Sequence, residues 1–223
     1  MVIVHHLNNS RSQRVLWLLE ELGVPYQVKR YERDAKTMLA PPELRAVHPL
    51  GKSPVISDGD EVVAESGAIV EYLADKYGQG RLLPPTGTAE RRRATYWLHY
   101  AEGSLMPPLL MSLIFSKVRS APMPFFAKPI AHGIADKVMG SFVSPNITSN
   151  LDFLEAELGK STWFGGEEFG VSDIQLSFPL EAAASRGGLD DSRPRLKAFL
   201  ERIHARPAYQ RALERGGPYE LMR

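Results

Sequence analysis

The spacing of hydrophobic residues changes after the first third of the chain. In that first third, the apolar run Val2–Leu7 predicts a short buried strand, and the apolar residues of 15–22 recur at helical spacing. Gly23 and Pro25 predict the end of this helix, and the alternation over 26–31 predicts a second strand. A strand, a helix and a strand within about 30 residues are typical of a parallel βαβ unit.

A β-hairpin and another helix are predicted to complete this unit. Two β-branched pairs, 55–56 and 62–63, flank a loop that contains Gly59, which favours a hairpin. A short helical piece after Pro42 precedes the hairpin, and an amphipathic helix follows it and ends near Gly78. The predicted order is therefore β-α-β-(α)-β-β-α.

The rest of the chain has almost only helical spacing. The apolar residues of 147–158 and of 196–203 each recur at intervals of three or four residues. Residues 79–88 are rich in Gly and Pro and predict a linker. The sequence therefore predicts two domains, a small α/β domain over 1–78 and an all-helical domain over 89–223.

The amino-acid composition restricts the kinds of functional site that the chain can form. The 223 residues include 27 Lys and Arg against 26 Asp and Glu, so the usual electrostatic reason to expect a nucleic-acid-binding protein is missing. Because there is no cysteine, disulfides, zinc-thiolate sites and cysteine nucleophiles are excluded, and sulfur chemistry needs a thiol brought by a ligand. No metal-like His cluster, basic apolar leader or membrane-length apolar run is recognisable, which predicts a soluble, intracellular protein.

The loop 8–13, between the first strand and the first helix, is the first segment with candidate chemistry. Ser10 and Gln13 have the spacing of a capping box, which would give Ser10 a structural role only. The same loop offers amide donors, the positive end of a helix dipole and a hydroxyl, and these groups stabilise an anion such as a thiolate. The residues alone leave both interpretations open.

Two further segments carry the same ambiguity. Ser53-Pro54 precedes the third strand, and an X–Pro bond is cis in only about 5% of cases. A trans bond is therefore favoured, whereas a cis bond would turn the backbone of Ser53 outward to pair with an extended peptide. Glu65 and Ser66 suit the start of the next helix as a cap, and they equally suit the ammonium and carboxylate of an amino-acid-like ligand.

Four segments together make the chain resemble the cytosolic glutathione S-transferases over essentially its whole length. They are NSRSQRVLWLLEE (9–21), HPLGKSP (48–54), AESGAI (64–69) and GVSDI (170–174). A fifth segment, HYAEGS (99–104), is similar to the bacterial and fungal branch of that family. The resemblance implies an α/β thioredoxin-like N-terminal domain followed by an all-α helical-bundle domain.

The resemblance also implies an enzyme that conjugates the thiolate of glutathione to small hydrophobic electrophiles. Ser53, before a cis Pro54, would pair with the cysteinyl backbone of glutathione. Glu65 and Ser66 would hold its γ-glutamyl ammonium and carboxylate, and Lys52 would lie near its glycyl end. Glutathione is then the co-substrate that supplies the sulfur, and no metal is implied.

The group that stabilises the thiolate is expected in the loop before the first helix. Many family members have a Tyr, Ser or Cys there. We predict Ser10 for its hydroxyl, Asn9 as an amide donor and Arg11 as charge support. Asn9 stands at the serine position of some classes of the family.

The pocket for the electrophile is expected in the helical domain. Four large side chains are candidates for its lining, although core packing explains each equally well: Tyr100, Met106, Met111 and Phe115. Gly170 departs from the family motif, which usually has Ser or Thr three residues before Asp173. Glycine is a tolerable cap, since it costs only a few tenths of a kcal/mol.

Two other functions stay open on the sequence. One is a non-catalytic module of the same fold that binds glutathione or hydrophobic ligands. The other is a glutathione-dependent peroxidase or disulfide reductase, which needs no protein cysteine if two glutathione molecules do the redox chemistry. Whichever of these functions the chain has, the resemblance implies a cytoplasmic homodimer with no nucleic-acid or membrane partner.

Overall fold

The computed structural model describes residues 1–37, 39–186, 188–219 and 221. The first part of the chain forms a four-stranded sheet with three helices. Its strands are β1 (Val2–Leu7), β2 (Tyr26–Tyr31), β3 (Val55–Asp58) and β4 (Glu61–Ala64). Its helices are α1 (Ser12–Leu22), α2 (Pro42–Val47) and α3 (Ser66–Tyr77). This is the order that the hydrophobic spacing predicts.

The strands are arranged in the order β2-β1-β3-β4. β1 and β2 run parallel, as the βαβ prediction requires, whereas the β1–β3 and β3–β4 pairs are antiparallel. His5 of β1 is paired with Val55, the first residue of β3. The loop that leaves β1 therefore lies beside the segment that enters β3, and loop 8–11 comes next to Ser53.

α1 is buried between the sheet and the helical domain, and Gly23 ends it in the left-handed conformation (φ 70°). The capping box that the spacing of Ser10 and Gln13 allows is not formed. The helix begins at Ser12, whose backbone amide donates to Ser10 Oγ at 3.3 Å. The amide of Gln13 donates instead to the backbone carbonyl of Ser10, also at 3.3 Å, and not to its hydroxyl.

The second part of the chain is helical. Its helices are α4 (Ala89–Tyr100), α5 (Met106–Ser120), α6 (Lys128–Val138), α7 (Ser144–Glu157), α8 (Val171–Ser185), α9 (Pro194–His204) and α10 (Pro207–Gly216). Two π-helical segments, Ala101–Leu105 and Met139–Val143, join α4 to α5 and α6 to α7. We keep the domain limits 1–78 and 89–223 as a proposal, with the linker between the end of α3 and the start of α4.

The start of α8 explains why glycine is present at position 170. The carboxylate of Asp173 accepts hydrogen bonds from the amides of Gly170 and Phe164, both at 2.9 Å. The amide of Val171 donates to the carbonyl of Leu82, also at 2.9 Å. A Cβ on Gly170 would lie only 2.6 Å from that carbonyl oxygen. Serine or threonine therefore does not fit here, although either is the better cap elsewhere.

One large cluster of buried apolar side chains extends through both parts of the chain. Charged groups reinforce it, since Glu21 of α1 accepts from Nε and Nη2 of Arg206 at 2.6 and 2.9 Å. The two parts are therefore held together by packing and by ion pairs. No helix in the described part of the chain combines the length and the apolar character needed to cross a membrane.

Candidate active site

A cleft opens where β1 ends, β3 begins and α3 starts, and the helical domain closes one side of it. Six residues predicted for the site line it: Arg11, Lys52, Ser53, Pro54, Glu65 and Ser66. Glu102, from the π-helical segment Ala101–Leu105, lines the side contributed by the helical domain. Asn9 and Ser10 are not among the residues that line the cleft.

Ser10 lies behind the wall of this cleft and is only 4% exposed. Its Oγ is 2.7 Å from Ser12 Oγ and 3.3 Å from Ser53 Oγ. Its neighbour Asn9 has a φ of 50°, a conformation that few residues other than glycine adopt. The hydroxyl of Ser10 is thus engaged with other side chains, and the loop has an unusual backbone at the residue before it.

Ser53 is fixed at the floor of the cleft. The Ser53–Pro54 peptide bond is cis, as the resemblance implies and against the general preference for trans. Ser53 Oγ donates to the carbonyl of His5 at 2.9 Å and accepts from the amide of Leu7 at 3.3 Å. Both partners belong to β1, so the sheet itself holds Ser53 in place.

The start of α3 rests on a buried arginine, Arg14, whose side chain is 1% exposed. Its Nη2 donates to Ser66 Oγ at 3.0 Å, and its Nη1 donates to the carbonyl of Gln175 at 2.6 Å. Burial lowers the pKa of Arg14 and the nearby Glu102 opposes this, while a guanidinium stays protonated in any case. The oxygen of Ser66 accepts from Arg14, and the hydroxyl of Ser66 donates to Glu102 Oε1 across a long contact of 3.5 Å. Ser66 does not cap α3, contrary to the structural alternative.

Glu65, directly before α3, has a φ of 68°. A residue other than glycine in this left-handed region costs about 1–3 kcal/mol, and such strain is concentrated at functional sites. Of the four such residues in the described chain, Asn9 and Glu65 both lie at predicted site positions, and the other two are Gln79 and Leu82.

Glu102 joins two arginines at the boundary between the domains. Its Oε1 accepts from Nη2 of Arg14 at 2.6 Å, and its Oε2 accepts from Nε of Arg11 at 3.1 Å. Burial by itself raises the pKa of Glu102, but Arg14 and Arg11 outweigh it, so the pKa lies below its ordinary value. π-Helical segments such as the one that carries Glu102 are frequent at functional sites.

Arg11 brings a positive charge to the surface of the cleft, with 35% of its side chain exposed. Its guanidinium also lies over the ring of Phe178, 5.3 Å from the centroid. The ring and Glu102 together limit where the long side chain can go. Since Glu102 carries one negative charge between two arginines, the three side chains together keep a net positive charge.

The four candidates for the electrophile pocket lie apart from this cleft. Tyr100 donates its hydroxyl proton to Asn150 Oδ1 at 2.5 Å, and Met106 is 6% exposed. Met111 and Phe115 are half-buried on α5. None of the four is among the residues that line the cleft. In the described part of the chain, no group of three His, Asp or Glu side chains is placed to hold a metal ion.

The chain is similar to known proteins over most of its length. Models of the glutathione S-transferase N-terminal and C-terminal domains match residues 1–75 and 136–207. Glutathione S-transferase 1 of Saccharomyces cerevisiae is 34% identical over 96% of this chain and 95% of its own length. The chain belongs to the glutathione S-transferase family. Glutathione S-transferase 3 of Schizosaccharomyces pombe is also 34% identical, over 96% of this chain and 88% of its own.

Solved structures support the same conclusion for the fold of this glutathione S-transferase. A crystal structure of a glutathione S-transferase from Actinobacillus pleuropneumoniae has a TM-score of 0.81 at 32% identity, and the match covers 100% of this chain and 96% of that one. A glutathione transferase structure from Methylococcus capsulatus has a TM-score of 0.72 at 27% identity, over 97% and 99%. The predicted family, fold class and enzyme class are thereby confirmed.

The sequence analysis assigned no role to three residues at or beneath this cleft, namely Arg14, Glu102 and Gln175. Arg14 and Glu102 lie inside quoted segments but were given no role. A signal was available for Arg14, because it is the one charged residue amid the apolar positions that begin α1. Its contact with Glu102 joins positions 88 residues apart, and that pairing is not visible without the fold.

Proposed function

We propose that this chain binds glutathione in the cleft described above and transfers its thiolate to small hydrophobic electrophiles. The observation that carries the proposal is the set of chemical groups that line one cleft. Glu65 and Ser66 line it at the start of α3, and Ser53, Lys52 and Arg11 line the same cleft. A tripeptide with an amino-acid end, a central thiol and a terminal carboxylate requires this set of partners.

At the γ-glutamyl end, the carboxylate accepts the proton of Ser66 and lies at the N-terminus of α3. Arg14, buried beneath Ser66 at 3.0 Å, and the helix dipole both favour a negative charge there. The ammonium is held by Glu65, and Glu102, whose Oε1 is 3.5 Å from Ser66 Oγ, adds a second carboxylate to the cleft. A zwitterionic amino-acid head thus finds a partner for each charge.

In the middle of the tripeptide, the backbone amide and carbonyl of Ser53 pair with the cysteinyl residue. The bonds of Ser53 Oγ to β1 support this role because they hold the residue still. Lys52, which is exposed at the same cleft, attracts the glycyl carboxylate. The cysteinyl thiol then points toward loop 8–11, which lies beside Ser53.

The loop residues Asn9, Ser10 and Arg11 stabilise the thiolate together with the N-terminus of α1. Lowering the pKa of a thiol by about two units from its free value near 8.5 requires roughly 2.7 kcal/mol. A charge-assisted hydrogen bond contributes about 1.5–3 kcal/mol and a helix end about 0.3–1 kcal/mol, so two such groups are enough. The exposed guanidinium of Arg11 is the strongest of these groups.

The electrophile pocket remains assigned to Tyr100, Met106, Met111 and Phe115 as a proposal. Its support is weaker than that for the glutathione cleft, because Tyr100 is bonded to Asn150 and Met106 is part of the core. The half-buried side chains of Met111 and Phe115 are the better candidates. Conversion of Met111 to Ala should change KM for the electrophile and leave KM for glutathione unaffected.

We expect a homodimer, in which the N-terminal domain of one copy faces the helical domain of the other. The proposal is supported by exposed apolar side chains on both domains, including Leu50 (60%) and Val62 (47%) on the first and Leu110 and Ile114 (48% each) on the second. Light scattering at micromolar concentration should give twice the mass of the chain, and a monomer would contradict this.

The resemblance to cytosolic enzymes further supports a role in detoxification in the cytoplasm.

The ionisation of bound glutathione tests the proposal. The ultraviolet absorbance of the thiolate is followed against pH for the complex, and an aryl-halide conjugation assay is run in parallel. We expect a thiol pKa well below the free value of about 8.5, together with saturable turnover. Arg11→Met should raise that pKa and lower kcat, whereas Arg11→Lys, which keeps the charge, should retain part of the effect. Binding with a free-solution pKa and no turnover would instead identify a ligand-binding module.

A further inference from the structure

The hairpin formed by α5 and α6 stands out from the helical domain. Residues 110–134 all lie in the described part of the chain, and none of them is buried. α6 packs against α5 and against the π-helical segment Met139–Val143. Nε2 of His132 donates to the carbonyl of Arg119 at 3.0 Å, so the end of α5 is joined to the middle of α6. We refer to residues 121–131, which lie between these two residues in the chain, as the tip.

Two phenylalanines occupy a turn within the tip. The amide of Ala127 donates to the carbonyl of Pro124 at 3.0 Å, so Phe125 and Phe126 are the two central residues of this turn. They are 85% and 68% exposed, and their rings, 5.7 Å apart, pack edge to face on each other. Turn positions are usually taken by Gly, Pro, Asn, Asp or Ser. Because the turn itself does not need these phenylalanines, their exposure indicates a contact with another molecule.

The hairpin is also basic. Residues 103–151 include four Lys or Arg and a single acidic residue, Asp136, whereas the rest of the chain has 23 Lys and Arg against 25 Asp and Glu. Asp136 is itself paired with Arg119. In the described part of the chain, the other three basic residues have no acidic partner within ion-pair distance. They are Lys117, Lys128 and Lys137. The positive charge of the hairpin is therefore available to a negatively charged partner.

The combination of these groups favours an anionic bilayer as the partner. Phe125, Phe126 and Ile130, which is 67% exposed, give the tip an apolar surface. Lys128 lies within the tip, and Lys117 lies in the last turn of α5. Proteins that bind a bilayer surface bury apolar side chains at the boundary between headgroups and acyl chains, while Lys and Arg meet the anionic headgroups. The tip supplies both kinds of group in one short segment.

A second copy of this chain fits the tip less well than a bilayer does. Two tips placed against each other would bring unpaired lysines together, and like charges across an interface oppose association. Leu110 and Ile114, which support the homodimer proposed above, lie nearer the start of α5 and outside the tip. The homodimer therefore does not require the tip.

We propose that the tip binds the surface of an anionic phospholipid bilayer. Phe125 and Phe126 insert at the boundary between headgroups and acyl chains, and Lys117 and Lys128 lie against the phosphates. Binding of this kind needs no membrane-spanning helix. This partner departs from the family resemblance, which implies no membrane partner. None of the four residues lines the glutathione cleft, so the proposal is independent of the proposed function.

Cosedimentation of the full chain with lipid vesicles tests the proposal. We expect binding to vesicles of equimolar phosphatidylcholine and phosphatidylglycerol that weakens with added salt, and much weaker binding to phosphatidylcholine alone. The double substitution of Phe125→Ser and Phe126→Ser should weaken binding about tenfold. Lys128→Gln should weaken it about fivefold, whereas Lys128→Arg, which keeps the charge, should not. Phe142→Ser is the matched control, because Phe142 is 53% exposed and lies outside the tip.

The variant Phe125→Trp gives a second measurement that does not depend on a loss of binding. The three native tryptophans are at most 8% exposed, so a blue shift of the emission on addition of the mixed vesicles reports insertion of the tip. Equal binding to both kinds of vesicle, no binding to either, or no effect of the double serine substitution would each overturn the proposal. If that substitution instead lowers the mass measured by light scattering and vesicles do not bind, the tip is a contact between copies of the chain.

Discussion

At the scale of single residues, the cleft depends on a network of ion pairs in which Glu102 lies between Arg11 and Arg14. Ser53, Glu65 and Ser66 were recognised because each stands in a short motif whose local geometry implies a role. Arg14 and Glu102 were missed because the sequence does not show whether a charged residue within a helix is buried or which residue it pairs with. The fold supplies the partner, and it converts both residues into parts of one ion-pair network.

Ser66→Ala tests the γ-glutamyl end of the cleft. Loss of a hydrogen bond to a charged group costs about 1.5–3 kcal/mol, so the KM for glutathione should rise roughly 10- to 100-fold. The pKa of the thiol in the complex should not change, because Ser66 does not contact sulfur in this account. Ser116→Ala, an exposed serine on α5, is the matched control. Equal effects of the two substitutions would contradict the assignment.

Glu102→Gln tests the ion-pair network through its dependence on pH. The folded-state pKa of Glu102 is depressed, so its contribution to stability is present above the unfolded pKa near 4.5 and is lost as pH falls through the lower folded value. The substitution leaves buried Arg14 without a charged partner, and we expect about 1–3 kcal/mol of destabilisation at neutral pH. Denaturant unfolding should show that the gap between variant and wild type narrows at acidic pH. A gap that is the same at both pH values would exclude this origin.

At the scale of elements, hydrophobic spacing predicted the order of strands and helices because each element buries one face. It could not predict how α1 begins. Ser10 and Gln13 have the spacing of a capping box, but the 2.7 Å contact of Ser10 with Ser12 and the burial of Gln13 are set by tertiary neighbours. The sequence does not predict the π-helical segment that carries Glu102 either. The segment is only five residues long, and one extra residue in a helical turn does not visibly change the spacing of apolar residues over so short a range.

Gly170→Ser should destabilise the protein even though serine is the better N-cap in most helices. Its Cβ would lie 2.6 Å from the carbonyl oxygen of Leu82, so the backbone must shift, and overpacking of this kind costs about 1–3 kcal/mol. Gly133→Ala is the control, because a Cβ at this exposed glycine of α6 meets nothing within 4 Å. It should raise the free energy of unfolding by about 0.5–1 kcal/mol. A stabilised Gly170→Ser variant would contradict this prediction, because the backbone at Leu82 would then move aside at little cost in free energy.

At the scale of the whole molecule, the site exists because two parts of the chain meet. Loop 8–11 and Ser53 adjoin the strands of the sheet, Glu102 comes from the helical domain, and a Cβ on Gly216 of α10 would lie 3.4 Å from Cε1 of His6. The predicted division into two domains is compatible with this, but it gives no information on how tightly they join. The contact of α1 with α10 and the shared core couple the stability of the two parts.

The two domains should therefore unfold in a single cooperative transition by calorimetry. Glu21→Gln, which removes the negative charge and one of the two acceptors for Arg206, should lower the free energy of unfolding by about 1–3 kcal/mol. The exposed ion pair of Lys197 and Asp191 serves as the control, and Asp191→Asn should leave the free energy of unfolding unchanged. Two resolved transitions in the wild-type enzyme would contradict the coupling of the domains.

The position of the sulfur atom tests the account most directly. A crystal structure of the enzyme with bound glutathione should show the γ-glutamyl carboxylate at Ser66 and the sulfur beside loop 8–11, within hydrogen-bonding reach of Asn9, Ser10 or Arg11. The cysteinyl backbone should pair with Ser53. A tripeptide bound in the reverse direction, or one whose sulfur faces solvent away from the loop, would contradict the proposed chemistry.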